Sequence, residues 1–119
     1  MKILIAEDDI LMLKTLEFRL KKDGHEVIVT KDGMEALEKI DELNPDLIIT
    51  DIMMPYSSGL EIASTVRQKH KTPIIVLSGM GQESVVLEAF KLGVDDYITK
   101  PFSPNELLVR VRRFNKAPQ

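Results

Sequence analysis

The 119-residue chain contains no cysteine, no tryptophan and no uninterrupted aliphatic run longer than four residues. The absence of cysteine excludes disulfides, thiolate catalysis, cysteine-ligated zinc and iron–sulfur clusters. A run such as Ile74-Ile75-Val76-Leu77 is far shorter than the roughly 20 apolar residues that span a bilayer. Met1-Lys2 leads directly into a short apolar run and then into three acids, so we expect no secretory signal. We therefore expect a cytoplasmic protein that does not associate with membranes.

The chain also lacks a surplus of basic residues, since 16 Lys and Arg face 19 Asp and Glu for a net charge of −3. Binding nucleic-acid phosphates takes such a surplus, so the composition argues against direct nucleic-acid binding. An apolar content of 44% and a charged content of 29% are typical of a globular domain. We expect one domain over residues 1–114, and a flexible tail or the start of a linker over the polar residues 115–119.

Short apolar runs alternate with segments of helical periodicity. The runs are rich in β-branched residues and predict buried strands at Ile3–Ala6, Val27–Val29, Leu47–Thr50, Ile74–Leu77 and Tyr97–Thr99. Apolar residues with helical spacing follow each run: Ile10, Leu13, Leu16 and Leu20; Ala36, Leu37, Ile40 and Leu43; Ile62, Ala63 and Val66; Val85, Val86, Ala89 and Phe90; Leu107, Leu108, Val111 and Phe114. Such βα alternation predicts an α/β protein with helices on both faces of a parallel sheet. We predict a flavodoxin-like, doubly wound (βα)5 fold with a five-stranded parallel sheet in the order 2-1-3-4-5.

Residues at the helix ends support these boundaries. Capping boxes are predicted at Asp32-x-x-Glu35, Ser58-x-x-Glu61 and Ser103-x-x-Glu106. Asp9 precedes the first helical segment and is predicted to be its N-cap. Gly24 and Gly93 stand where a helix end favours left-handed backbone.

Two further patterns receive ordinary structural interpretations. The cations of Arg110-Val111-Arg112-Arg113 are expected at a helix C-terminus, where the helix dipole favours them. His25 and His70 stand in polar connections and are expected at the surface.

Polar and charged residues follow four of the predicted strands. In an open parallel sheet, ligands bind outside the carboxyl ends of the strands, near the point where strand order reverses. The residues in question are Glu7-Asp8-Asp9, Asp51, Ser78-Gly79 and Lys100-Pro101. Clustered carboxylates repel one another unless a cation is bound or some are protonated, and oxygen ligands alone favour a hard divalent ion such as Mg²⁺. A lysine and a hydroxyl beside that ion suit an anion, so the combination indicates phosphoryl chemistry.

Together these motifs resemble the receiver domain of bacterial two-component response regulators, over essentially the whole chain. The motifs are Ile3-Leu4-Ile5-Ala6-Glu7-Asp8-Asp9, Asp51-Ile52-Met53-Met54-Pro55 with Gly59, Leu77-Ser78-Gly79, and Asp95-Asp96-Tyr97-Ile98-Thr99-Lys100-Pro101-Phe102. Each motif alone is weakly specific, whereas all four in order at strand ends are highly specific.

The resemblance implies a phosphorylation-activated switch rather than an enzyme with a separate substrate. Asp51 would accept a phosphoryl group from a sensor histidine kinase or a histidine phosphotransfer protein. The metal, Mg²⁺ with Mn²⁺ as an alternative, would be held by Asp8, Asp51 and the backbone carbonyl of Met53, and by Glu7 through water. Ser78 and Lys100 would bind the phosphoryl group, Tyr97 would be the aromatic switch residue, and the Lys100–Pro101 peptide bond would be cis.

The resemblance also implies an output. The face formed by helix 4, strand 5 and helix 5 would change on phosphorylation and control an output domain or partner protein. The segment from Asp95 to Pro104 resembles the branch whose receivers dimerise through helices 4 and 5 and drive winged-helix DNA-binding domains, which points to transcription. Asp96, Glu106 and Arg110 would belong to that dimer face, with Asp96 and Arg110 paired across it. Val86 stands where a basic partner of Glu106 is often found, which argues against dimerisation.

Two other functions compete with the switch. A stand-alone Mg²⁺-dependent phosphatase of the haloacid-dehalogenase pattern has a second aspartate two residues after the nucleophile, and Met53 occupies that position here. A flavin-binding electron carrier would share the fold, but the acids at residues 7–9 would repel a flavin phosphate.

Overall fold

Strands and helices alternate along the whole domain. The computed structural model describes residues 1–54, 59–79 and 83–115. The strands are β1 (Lys2–Ala6), β2 (Glu26–Thr30), β3 (Leu47–Asp51), β4 (Ile74–Ser78) and β5 (Asp96–Thr99). The helices are α1 (Ile10–Lys22), α2 (Gly33–Leu43), α3 (Gly59–Lys69), α4 (Glu83–Lys91) and α5 (Pro104–Arg112). Each strand begins and ends within one residue of its predicted position.

The strands form one parallel sheet in the order β2-β1-β3-β4-β5, which confirms the predicted fold and strand order. In register, Ala6 pairs with Thr30 on one side and Thr50 on the other. Asp51 pairs with Leu77, and Ser78 pairs with Thr99. Because parallel strands in register end together, the polar residues that follow them meet at one edge of the sheet.

Helices cover both faces of the sheet, and each face has its own hydrophobic core. One core joins the sheet to α2, α3 and α4, and the other joins it to α1 and α5. Along β1, Leu4 and Ala6 belong to the first core, whereas Ile3 and Ile5 belong to the second. Every residue of β3 and β4 is buried, as is typical of central parallel strands covered on both sides.

The predicted N-cap side chains of α1, α2 and α5 are confirmed, although the Glu35 carboxylate accepts from the Lys31 N–H and not from that of Asp32. Asp9 accepts hydrogen bonds from the backbone N–H groups of Leu11 and Met12, which confirms it as the N-cap of α1. Asp32 and Ser103 likewise accept from the N–H groups of Glu35 and Glu106. Gly24 and Gly93 have φ angles of +93° and +100°, which confirms the left-handed turns. Ser58, with its predicted capping box, and residues 116–119 of the predicted tail lie outside the described residues.

The structure corrects the expectation that His25 lies at the surface. This side chain is buried, and only 8% of the residue is exposed. Its Nδ1 lies 3.1 Å from the amino group of Met1, and its Nε2 lies 3.6 Å from a carboxylate oxygen of Asp23. His70 is half-buried, with Nε2 3.3 Å from Asp41. Both histidines therefore face a carboxylate, His25 that of Asp23 two residues before it and His70 that of Asp41 in α2.

Two members of the predicted apolar stripes lie at the surface instead of in the core. Ile10 is 43% exposed because it opens α1 at the rim of the sheet, where the core ends. Phe90 is 40% exposed and packs edge-on against the ring of Tyr97, with ring centroids 5.6 Å apart.

In residues 1–54, 59–79 and 83–115, no helix combines the length and the apolar character that crossing a bilayer requires.

Candidate functional site

An ion-paired group of Glu7, Asp51 and Lys100 lies at the carboxyl edge of the sheet. The Lys100 Nζ atom is 3.0 Å from Oε1 of Glu7 and 2.7 Å from Oδ2 of Asp51. Glu7 is fully buried and Asp51 is 6% exposed. One lysine therefore bridges two carboxylates that come from different strands and have little access to water.

The alternation of side chains along the strands explains this meeting. Successive residues of a strand point to opposite faces, so Glu7 follows Ile3 and Ile5 on the face covered by α1 and α5. Asp51 follows Leu47 and Ile49 on that same face. On both strands the earlier residues of this face are apolar and pack in the core. The next residue on the same face, at the edge of the sheet, is the charged one.

Burial and the neighbouring charges shift the protonation of this group. Burial raises the pKa of Glu7 to about 7, the Asp51 carboxylate adds to the rise, and hydrogen bonds from the Asp9 backbone N–H and from Lys100 oppose it. Burial also disfavours the charge on Lys100, but its hydrogen bonds to Asp51 and Glu7 outweigh that cost and raise its pKa. Lys100 is thus held as a cation between the two acids.

Asp8 completes a set of oxygen donors that fits a divalent cation. Ligand oxygens of Glu7, Asp8 and Asp51 all lie within 4.8 Å of one another. Asp8 is exposed and the other two are buried, so solvent reaches the set from one side. The Met53 backbone lies beside it, since its N–H donates to Oδ1 of Asp51 over 3.2 Å. Carboxylate and carbonyl oxygens with an open side for water suit Mg²⁺.

Ser78 and Tyr97 lie on a groove next to this group. The groove has a volume of about 390 Å³ and is lined by Ser78, Gly79, Glu83, Val86, Leu87, Phe90, Tyr97 and Thr99. Ser78 is buried at the end of β4, and its carbonyl accepts a hydrogen bond from the Lys100 N–H over 2.6 Å. Tyr97 is 40% exposed, with its ring against Phe90. The Lys100–Pro101 peptide bond beside this groove is cis.

The residues expected at a dimer face contact one another within one chain. Arg110 Nη1 lies 2.7 Å from Oδ1 of Asp96, and Arg110 Nη2 lies 4.0 Å from Glu106. Arg113, which sequence reasoning assigned no partner, lies 3.1 Å from Oδ2 of Asp96. Val86 is only 7% exposed and packs in the core, so this position of α4 contributes no cation to pair with Glu106.

A second set of contacts, around Arg67, has no counterpart in the sequence analysis. The guanidinium donates to the carbonyls of Gly93, His70 and Thr72 and to the carboxylate of Asp95. Three of these four acceptors are backbone carbonyl oxygens. Every residue type carries one, so the sequence does not indicate these contacts. Only Asp95, at the start of the motif before β5, offered a signal.

Comparison with known proteins gives a consistent result. The family model described as "Response regulator receiver domain" matches residues 3–112. The receiver domain of Francisella response regulator 1452 is 38% identical, with a TM-score of 0.89 over 95% of this chain and 94% of that one. The chemotaxis response regulator CheY4 of Vibrio cholerae is 32% identical, with a TM-score of 0.89 over 96% and 98%. NtrX from Brucella abortus, in complex with ADP, is 27% identical with a TM-score of 0.89, and the match covers 95% of this chain but 26% of that one.

Proposed function

The chain belongs to the response regulator receiver domain family of two-component signalling, and on that premise we propose that Asp51 is its phosphoacceptor. The observation that supports this most directly is Lys100 bridging Glu7 and Asp51 beside Asp8. A lysine and three clustered carboxylates form a site for a cation and an anion together. An acyl phosphate on Asp51 with its counter-cation is such a pair.

In the proposed reaction, a carboxylate oxygen of Asp51 attacks the phosphorus of a phosphohistidine donor. The phosphorus–nitrogen bond breaks, and its electron pair stays on the imidazole nitrogen. The donor is a sensor histidine kinase or a histidine phosphotransfer protein. The Met53 N–H and the Lys100 ammonium each hold one oxygen of the Asp51 carboxylate, so its orientation is set before the donor arrives.

The phosphoryl group adds a charge of about −1.5 to −2 at a site that is already acidic. Lys100 neutralises part of it from its present position beside Asp51. Asp8, Asp51 and the Met53 carbonyl would hold Mg²⁺, or Mn²⁺ in its place, with Glu7 binding through water. When bound, the metal neutralises charge and orients the phosphoryl oxygens.

The proposed response is a shift between two packings of the face formed by α4, β5 and α5. The Ser78 hydroxyl would bond a phosphoryl oxygen, and the ring of Tyr97 would turn from the groove surface toward the space that Ser78 leaves. The groove between Ser78 and Tyr97 supports this, since both residues line it. Near-complete switching requires a roughly 10⁴-fold preference of the phosphoryl group for the second packing.

The shifted face would control an output domain or a partner protein, including one that acts in transcription. In NtrX from Brucella abortus the matching region is part of a longer protein, since the match covers 26% of that chain. We place the protein in the cytoplasm as a signalling switch that catalyses only its own phosphorylation and dephosphorylation.

Labelling with acetyl phosphate and Mg²⁺ tests the assignment, with intact mass as the readout. We expect one phosphoryl group on the wild type and none on Asp51→Asn. Asp41→Asn is the matched control, because Asp41 is an exposed aspartate paired with Lys69 and His70, and it should label like the wild type. Labelling of Asp51→Asn at the wild-type level would refute the proposal. Sustained turnover of p-nitrophenyl phosphate would instead indicate the phosphatase.

A further inference from the structure

The backbone at the end of β3 is held on several sides. The Ile52 N–H donates to the Leu77 carbonyl over 3.0 Å, and the Ile52 carbonyl accepts from the Gly59 N–H over 2.9 Å. The Asp51 carbonyl accepts from the Thr50 hydroxyl over 3.0 Å. These bonds fix the peptide group between Asp51 and Ile52 and the one after it, directly following the α-carbon from which the Asp51 carboxylate projects.

Gly59, the first residue of α3, lies in close contact with this backbone. A β-carbon at position 59 would lie 2.7 Å from the Asp51 carbonyl oxygen and 2.9 Å from the Ile52 α-carbon. Both distances are below any normal carbon contact, and both neighbours are backbone atoms that cannot rotate away. Glycine is needed here for space, because position 59 has helical backbone that other residues also adopt.

Thr50 is a polar residue in a strand whose five residues are all buried. It is 0% exposed. In the register of the sheet it pairs with Ala6 of β1, which in turn pairs with Thr30 of β2. Valine has the same shape and would fill this place with no polar atom to satisfy. The Thr50 hydroxyl is distinguished by its acceptor, which is the carbonyl of Asp51.

We propose that Thr50 and Gly59 are positioning residues for the Asp51 carboxylate and the neighbouring Met53 carbonyl. Thr50 holds the Asp51 carbonyl by a hydrogen bond, and Gly59 lets α3 approach close enough to hold Ile52. Together they set the spacing between the oxygens of Asp51 and those of Glu7 and Asp8. The inference rests on the cation site of the proposed function and does not depend on phosphoryl transfer.

Metal sites are sensitive to such support, since loss of a group that orients a ligand weakens metal binding by about 10- to 100-fold. We therefore expect Thr50→Val to weaken Mg²⁺ binding about tenfold, as measured by isothermal titration calorimetry of the metal-free protein. Thr50→Ser restores the hydroxyl and should bind Mg²⁺ like the wild type. Gly59→Ala should weaken binding more than Thr50→Val, because it displaces backbone.

Ile48→Val separates positioning from general destabilisation. Ile48 lies two residues before Thr50 on the same strand and in the core on the same face, and it is 0% exposed. This variant should lower the free energy of unfolding in urea, as Thr50→Val does, while leaving Mg²⁺ affinity unchanged. If Gly59→Ala does not fold, the Mg²⁺ affinities of Thr50→Val, Thr50→Ser and Ile48→Val still test whether Thr50 positions the site.

Equal Mg²⁺ affinity in Thr50→Val and Thr50→Ser would overturn the inference and leave the phosphoacceptor assignment intact. So would a loss of affinity in Ile48→Val as large as that in Thr50→Val, since it would show an effect of stability alone. A wild type that neither binds Mg²⁺ nor becomes labelled would contradict the proposed function itself, and this inference with it.

Discussion

Asp96 and Arg110 form an ion pair inside a single chain, with Arg110 Nη1 2.7 Å from Oδ1 of Asp96. The carboxylate is buried to 8% exposure, and it also accepts hydrogen bonds from Arg113 and from the Tyr97 backbone N–H. The pair joins β5 to α5. A dimer that paired Asp96 with the Arg110 of another copy would first have to break this contact, so the energetic gain from the exchange is small.

A double-mutant cycle measures the coupling energy between Asp96 and Arg110. We expect Asp96→Asn and Arg110→Gln each to lower the free energy of unfolding, with a coupling energy of about 1–2 kcal/mol, because the carboxylate is largely desolvated. Urea denaturation at several protein concentrations provides the measurement. The coupling should be independent of concentration for a pair within one chain, whereas a coupling that grows with concentration would place the pair between chains.

Replacing Lys100 should have opposite effects on stability and on metal binding. Lys100→Met leaves Glu7 and Asp51 without their cation, so we expect the metal-free protein to lose about 2–3 kcal/mol of unfolding free energy. Mg²⁺ should bind this variant more tightly than the wild type, since the ammonium no longer competes for the carboxylates. Urea titrations with and without Mg²⁺ measure both effects, and Lys69→Met, at an exposed lysine, is the control. Weaker Mg²⁺ binding in Lys100→Met would contradict the expectation.

Gly24→Ala and Gly93→Ala should differ in cost although both positions have left-handed backbone. A β-carbon at Gly24 meets no atom within 4 Å, so the cost is that of the backbone alone, about 1 kcal/mol. At Gly93 the β-carbon would also lie 3.2 Å from Nε of Arg67, which donates to the Gly93 carbonyl. We expect Gly93→Ala to cost about 1 kcal/mol more, because it disturbs a hydrogen bond from a charged guanidinium. Equal losses in thermal or urea unfolding would argue against a tight contact with Arg67.

His25 should make the fold sensitive to mild acid. Burial lowers its pKa, the nearby Met1 amino group lowers it further, and Asp23 opposes the shift. The folded protein therefore binds the imidazole proton more weakly than the unfolded chain does. The stability contributed by neutral His25 is complete above its ordinary pKa of about 6.5 and is lost as the pH falls through the lower folded value.

Circular dichroism of urea unfolding between about pH 7.5 and 5.5 checks this expectation. His25→Gln should show a smaller decline in unfolding free energy over that range than the wild type. His70→Gln, at a half-buried histidine on the far side of the sheet from α1, should decline like the wild type. An unchanged decline in His25→Gln would show that other groups cause the acid sensitivity.

Most of the fold followed from local pattern. Strand-forming runs such as Leu47–Thr50 are rich in β-branched residues, and apolar residues with helical spacing follow each run. This alternation was sufficient to predict the parallel sheet. The acids and the lysine at the strand ends followed as well, because all parallel strands present the same end at one edge. The bridge from Lys100 to both Glu7 and Asp51 is the physical outcome of that arrangement.

Features that depend on non-local packing could not be predicted from the sequence. His25 is buried because the chain's amino group and Asp23 lie against it, and no periodicity signals either contact. Arg67 binds mainly backbone carbonyls, which every residue type carries. The Asp96–Arg110 pair was recognised, but whether it forms within or between chains is decided by the position of α5, which residue identity does not specify.

The order of synthesis gives the lysine bridge a further consequence. Lys100 is 93 residues after Glu7 and 49 after Asp51. A growing chain therefore carries both acids long before their counter-charge is made. Until β5 adds at the edge of the sheet, burying Glu7 and Asp51 would place unpaired charge in the interior. Closing this edge early is therefore unfavourable for the nascent domain until the segment that carries Lys100 has left the ribosome and joined the sheet.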